Sequence, residues 1–214
     1  MRLIKVAVAC VNQTPFAWDE NFAHLKMAIE HARAEGATLL CLPELAITGY
    51  GCEDAFFMDG LQDTAFAMLD ALAPLTHNMV VIVGLPVFHE KALYNAAAIV
   101  ANGEIVGFVG KQFLAGDGIH YEPRWFKPWP SGEVDVLERT SPDGSIRRFP
   151  IGDLLFDIGD IRVGCEICED AWVANRPGVD LALRGCDIMC NPSASHFAFG
   201  KYAVRQRFVV EGSR

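Results

Sequence analysis

The stretch Val163-Gly164-Cys165-Glu166-Ile167-Cys168-Glu169-Asp170-Ala171-Trp172 decides how this chain is read. Its apolar start predicts a buried strand from Ile161 to Cys168 that runs straight into a helix, with Cys168 at the join. A thiol there sits at the positive end of a helix, where unpaired backbone N–H groups favour a thiolate and hold a developing oxyanion. Cys168 is therefore the candidate nucleophile.

Downstream, Cys186 to Cys190 reads as another buried strand, with a helix after Trp172 between the two, and Lys201 to Val210 reads as a final helix. Upstream, Leu3 to Val11 reads as a buried strand, expected at the centre of a sheet, and Asn12-Gln13-Thr14-Pro15 as a turn. Phe22, Leu25, Ile29 and Ala32 recur at helical spacing, with Asp19 or Asn21 as cap and Gly36 as terminator. Thr38 to Leu42 is the next strand. Pro43-Glu44 stands at its C-terminal end, where open α/β sheets place their chemistry. A glycine-rich loop, Thr48 to Asp54, leads to a helix with Phe66, Leu69 and Leu72 on one face. Met79 to Leu85 is a strand, and Tyr94 to Ala101 and Glu104 to Val109 flank the hairpin signal Asn102-Gly103, with Lys111 just beyond. Residues 131 to 150 read as an exposed excursion compatible with a hairpin and carrying no identifiable chemistry. This order implies a mixed sheet with helices packed on it.

The 214 residues, 51% apolar and 21% charged, suffice for one core and predict a single domain over 1–214. A net charge of −9 with scattered Lys and Arg argues against a nucleic-acid surface and for a small-molecule substrate. The longest apolar run, Met79 to Phe88, is too short for a bilayer, and Met1-Arg2 opens no signal peptide, so no membrane partner and a cytoplasmic location are expected. Seven cysteines, mostly in apolar runs, read as reduced thiols, with Cys10, Cys41, Cys186 and Cys190 as small core residues. The CxxC of Cys165 and Cys168 lacks the turn residues of a zinc knuckle, and no metal site is expected.

Glu44, Lys111 and Cys168 each end a separate strand. A carboxylate, an ammonium and a thiol together can run acyl transfer: Glu44 as general base and acid, Lys111 with the Glu169 N–H for the oxyanion, and Cys168 for the thioester. A buried Glu–Lys pair can equally be structural. By spacing alone Glu122 is an exposed loop acid, Ser193 and Ser195 are caps for the last helix, and His196 has no claim over the other five histidines as a base.

Pro43-Glu44, Lys111 with Glu122 eleven residues on, and Ile167-Cys168-Glu169-Asp170 together resemble the nitrilase superfamily of carbon–nitrogen hydrolases. Within it, Thr48-Gly49-Tyr50-Gly51-Cys52, Arg124-Trp125-Phe126, Pro128-Trp129 and Asn191 through Ser195-His196 are most similar to the glutaminase domains of glutamine-dependent NAD⁺ synthetases. The resemblance implies a four-layer αββα sandwich, truncated after residue 214, that hydrolyses L-glutamine and hands ammonia to a synthetase domain of the same full-length chain. It implies a homo-oligomer and no cofactor in the glutaminase part, with ATP and Mg²⁺ confined to the synthetase part. Glu44, Lys111, Cys168 and Glu122 match the family's catalytic positions. Tyr50, Tyr121, Glu169, Trp172, Ser195 and Lys201 match its substrate-binding ones, with Lys201 where bacterial members carry arginine and Tyr50 or Tyr121 as the pocket tyrosine. The alternatives are a stand-alone amidase or carbamoylase, and a non-catalytic binding or assembly module in which Cys168 is a buried thiol.

Overall fold

In β2 (Leu39–Cys41), β3 (Val80–His89) and β4 (Ala92–Ala101) nearly every residue is buried, as strands covered on both faces must be. Alternation sends their side chains two ways. Leu40, Val81, Val83, Ala96, Ala98 and Val100 join one core, and Leu39, Cys41, Val80, Ile82, Ala97 and Ile99 join another. The computed structural model describes residues 4–141 and 143–213. The first core is covered by α1 (Trp18–Ala34) and α2 (Leu61–Leu72) through Leu25, Ile29, Phe66, Leu69 and Leu72. The second faces another sheet, of β8 (Leu155–Ile158), β9 (Ile161–Cys165) and β10 (Ile188–Cys190), which contributes Phe156, Val163, Cys165 and Cys190. On that sheet's outer side Leu181 of α4 (Pro177–Leu183) packs over Gly164. The layers are thus α, β, β and α, the sandwich expected from the resemblance.

The larger sheet runs β1-β2-β3-β4-β5-β7-β6, with β1 (Val6–Val8), β5 (Glu104–Gly110), β6 (Val134–Thr140) and β7 (Ile146–Gly152). β1, β2 and β3 are parallel, β3, β4 and β5 form an antiparallel meander, and β7 joins β5 in parallel. The remaining α-helices among the described residues are the short α3 (Glu122–Trp125) and α5 (Lys201–Gly212).

Several expectations need correcting. Among the described residues β1 is an edge strand, bonded only to β2, with Val8 81% exposed; the Leu3 end of the expected strand, and Met1-Arg2, lie outside them. Neither Asp19 nor Asn21 caps α1: Asn21 is buried and clamps the turn before it, accepting from Thr14 N and donating to Thr14 O and Ile47 O. Residues 131–150 form the β6–β7 hairpin, as one reading allowed, but Leu137 and Phe149 anchor it in the core. Strand β8 has no counterpart in the sequence reading, because four residues are too few to show a period. Cys10 is exposed and Cys186 half-buried, so neither is a core thiol. Gly200, not a serine, precedes the last helix. Among the described residues no helix is long and apolar enough to cross a membrane.

Gly84 of β3 lets the site approach the sheet. The turn Pro43-Glu44-Leu45 crosses it, with Gly84 N donating to Pro43 O and Ile47 N donating to Gly84 O. A Cβ there would overlap Leu45 N and stand 2.7 Å from the Glu44 Cα. Gly84→Ala is expected to cost about 1–3 kcal/mol in denaturant unfolding. Gly51→Ala, whose Cβ meets only Pro15 Cγ at 3.5 Å, should stay within about 0.5 kcal/mol of wild type. Equal effects would contradict the close approach.

Candidate active site

Lys111 follows β5 and is fully buried between two carboxylates. Its Nζ lies 2.6 Å from Glu44 Oε1 and 2.8 and 2.7 Å from the two oxygens of Glu122. Burial alone would drive a proton off the amine, but Glu44 and Glu122 outweigh it and hold the ammonium above its ordinary pKa. The carboxylates have further donors of their own. Glu44 Oε1 also accepts from Asn95 Nδ2 at 2.8 Å and Oε2 from Ala194 N at 3.0 Å. Glu122 Oε1 accepts from the Tyr50 hydroxyl at 2.6 Å and Oε2 from Ala115 N at 3.0 Å. Burial raises the Glu122 pKa against the pull of Lys111.

Cys168 does not end a strand that becomes a helix. β9 stops at Cys165, Glu166 and Ile167 continue extended, and Cys168 takes φ 46° to open a single 3₁₀ turn, Cys168–Ala171. One such turn has too small a dipole to stabilise a thiolate as expected. Instead burial, then the Glu44 charge, push the thiol up to about 12 against Lys111 and Ser193, so the resting sulfur keeps its proton. A left-handed φ is unusual for a side-chain-bearing residue and is held by neighbours. Cys168 N donates to Pro192 O at 2.9 Å, and Asp170 accepts from Ile167 N at 2.7 Å, Phe113 N at 2.7 Å and Gln112 N at 3.1 Å. Asp170 therefore ties the nucleophile turn to the segment that carries Lys111. Burial pushes its carboxyl up to about 7 even against those N–H groups.

Glu44, Lys111, Cys168 and Glu122 thus converge, and Glu122, an exposed loop acid by spacing, is buried at the start of α3. Of the other expected residues, Tyr50 reaches the cluster through Glu122, whereas Tyr121 is exposed beside a cleft of about 490 Å³ also lined by Tyr50, His120, Ala194 and His196. Lys201 Nζ stands 5.2 Å over the Trp172 ring and 3.5 Å from His196 Nδ1. Glu169 and Ser195 are half-buried, and burial raises the Glu169 pKa. His120 joins the Tyr50 hydroxyl at 3.1 Å to His196 at 2.8 Å, and burial lowers its pKa. No cysteine belongs to a cluster of three or more potential ligands within reach of one ion among the described residues.

Asn95, Asp170, Ser193 and Arg205 escaped the sequence reading as site residues. Asn95 had a signal: it is the one amide in the apolar run Leu93 to Ala101, and a buried amide needs a partner. Asp170 stood inside the quoted motif. Ser193 stood inside the stretch quoted for the resemblance, where it read only as a cap, and Arg205 had no signal, because their contact joins a loop to a helix.

The family model for carbon–nitrogen hydrolases matches residues 5–210. Glutamine-dependent NAD⁺ synthetases of Oryza sativa subsp. indica and Homo sapiens are each 34% identical, over 96% and 98% of this chain and 29% and 30% of their own. The crystal structure of a glutamine-dependent NAD⁺ synthetase from Cytophaga hutchinsonii superposes with a TM-score of 0.89 at 41% identity, covering 99% of this chain and 34% of that one. An amidase of the nitrilase superfamily from Nesterenkonia shares the fold, with a TM-score of 0.75 at 19% identity over 98% of this chain and 71% of its own. The chain spans about three tenths of the length of the curated relatives it matches. From the matched residues 5–210, this chain belongs to the carbon–nitrogen hydrolase family and is homologous to the glutamine-dependent NAD⁺ synthetases.

Proposed function

We propose that residues 1–214 form a glutaminase domain that hydrolyses L-glutamine to glutamate and ammonia through a thioester on Cys168, and that the ammonia serves ATP-dependent amidation of nicotinic acid adenine dinucleotide by a synthetase domain. The observation that carries the reading is the buried Glu44–Lys111–Glu122 cluster beside a neutral, buried thiol. The 34% and 41% identities to NAD⁺ synthetases support the substrate over that of a stand-alone amidase.

In this reading Glu44 takes the Cys168 proton as sulfur attacks the carboxamide carbon. The ammonium of Lys111 gives one N–H to Glu44 and shares a second between the Glu122 oxygens, which leaves a third for the oxyanion together with the N–H of Glu169. Glu44 then returns the proton to the leaving nitrogen and ammonia departs. A water, deprotonated by Glu44, cleaves the thioester and restores the thiol. Glu122 is the anchor of Lys111, and Tyr50 and Ala115 N keep that anchor from turning away. For the substrate's own charges, Lys201 and Glu169 offer opposite signs at the mouth, although an ammonium gives a carboxylate no bidentate fork.

Cys168→Ala should abolish ammonia release from L-glutamine by the full-length protein while synthesis from free ammonia continues. Loss of both activities in a folded variant would contradict the assignment, and cleavage of a different small amide through Cys168 would move the reading to an amidase. Lys111→Met strands two buried carboxylates and should cost about 3–5 kcal/mol near neutral pH. Without its cation Glu122, whose pKa burial already raises, binds its proton more tightly folded than unfolded, so the deficit should grow as pH rises above the ordinary carboxylate range. Denaturant unfolding within and above that range checks this, and a pH-independent deficit would show that lost packing, not charge, is responsible.

A further inference from the structure

A sulfur that becomes anionic inside the protein needs donors aimed at it. Cys168 is 5% exposed and faces the Glu44 carboxylate, which opposes its ionisation. Lys111 supplies charge, but its short contacts go to Glu44 and Glu122. The hydroxyl of Ser193 stands 3.3 Å from the Cys168 sulfur. A serine hydroxyl can donate or accept, and towards a sulfur anion, which has no hydrogen, it can only donate. Arg205 Nη2 lies 2.6 Å from the same Ser193 oxygen, and a guanidinium only donates. Arg205 holds one of the two Ser193 lone pairs, and the single Ser193 hydrogen faces the sulfur. The chain of donation then runs from Arg205 through Ser193 to the Cys168 sulfur.

We propose that Ser193 is a further catalytic residue, the hydrogen-bond donor to the Cys168 thiolate, and that Arg205 is the positioning residue that fixes the direction of its hydroxyl. This rests on the reading of Cys168 as nucleophile. As the thiol proton moves to Glu44 the sulfur gains charge, and the hydrogen bond from Ser193 becomes charge-assisted. It is therefore stronger in the transition state than at rest, which is the condition for accelerating the step. When the thioester breaks, the same donor receives the departing sulfur.

Helix α5 fits this role. None of its residues is fully buried, and it meets the rest of the chain at a few points on one side. Arg205 bonds Ser193; the Phe208 ring stands 4.7 Å from that of Trp172; and Arg176, paired with Glu166 two residues before the nucleophile, donates to Phe208 O at 3.2 Å. Lys201 and Arg205, one turn apart, face the site from that side. The groups that set the ionisation of Cys168 are Glu44 after β2, Lys111 after β5 and Ser193 after β10; the other charged groups facing that cluster are Glu122 behind Lys111, Glu169 beside the cysteine, and Arg205 and Lys201 on α5.

The test is the rate of Cys168 alkylation by iodoacetamide across pH, on the full-length protein, with the modified residue identified by peptide mapping. Ser193→Ala removes a donor to the anion, so the alkylation profile should move to higher pH and the rate at neutral pH should fall about tenfold. Ser193→Thr keeps the hydroxyl and should recover most of that loss. Arg205→Met, on a helix with no buried residue, reports on the relay without disturbing the core. It should slow alkylation about threefold alone and add nothing on top of Ser193→Ala. A Ser193→Ala profile that superposes on wild type, or Arg205→Met and Ser193→Ala effects that multiply, would overturn the proposal while leaving Cys168 as nucleophile. Wild-type Cys168 that resists alkylation and releases no ammonia from glutamine would overturn the reading of the site itself, and this inference with it.

Discussion

A lysine ammonium with no exposed surface can persist only beside carboxylates, and Lys111 has two. That demand organises the rest of the site. Glu44 must arrive from the end of β2 and Glu122 from the start of α3, and each needs donors for its remaining lone pairs, because a half-paired buried charge costs several kcal/mol. Asn95 and the Ala194 N–H serve Glu44 and leave one site on its Oε2 open, and Tyr50 and the Ala115 N–H fill those of Glu122. Three loops, strand β4 and the start of α3 are therefore tied to one cation. The close crossing of the Pro43-Glu44-Leu45 turn over Gly84 is the packing that brings the first carboxylate into reach.

The same burial sets the state of the thiol. A cysteine placed among apolar neighbours and a carboxylate rests neutral, so reactivity has to be generated at the moment of attack rather than stored as a standing thiolate. The proposed chemistry meets this by placing the base and the donors within one hydrogen bond of the sulfur. Asp170 serves the geometry: by accepting backbone N–H groups from both Gln112-Phe113 and Ile167, it keeps the turn bearing Cys168 in register with the segment after Lys111.

Much of the architecture was readable without coordinates, because strands buried on both faces leave continuous apolar runs and helices leave a three-to-four spacing. Met79 to Leu85, Tyr94 to Ala101 and the α1 face are of this kind, and all three lie where the pattern placed them. The edge position of β1 was not readable, since a sequence shows that residues are apolar and not which strand lies beside them. Glu44, Lys111 and Cys168 stood out because strand ends are where side chains of different strands meet. Glu122 did not by spacing, since an acid in a polar loop looks exposed until a buried cation calls it inward; the family resemblance, not local pattern, singled it out. The helix expected after Cys168 was wrong in kind: four residues of 3₁₀ turn carry the motif, and the left-handed backbone at Cys168 has no sequence signature. Asn95, Ser193 and Arg205 are tertiary facts, each defined by a partner from another element.

The central claim is that Cys168 becomes acylated. The most direct measurement is acid quenching of the full-length protein during turnover of L-glutamine, followed by mass mapping of its peptides. The account predicts a γ-glutamyl group on Cys168 alone. Ammonia release with no adduct on Cys168, or with the adduct on Ser193 or Ser195, would contradict it.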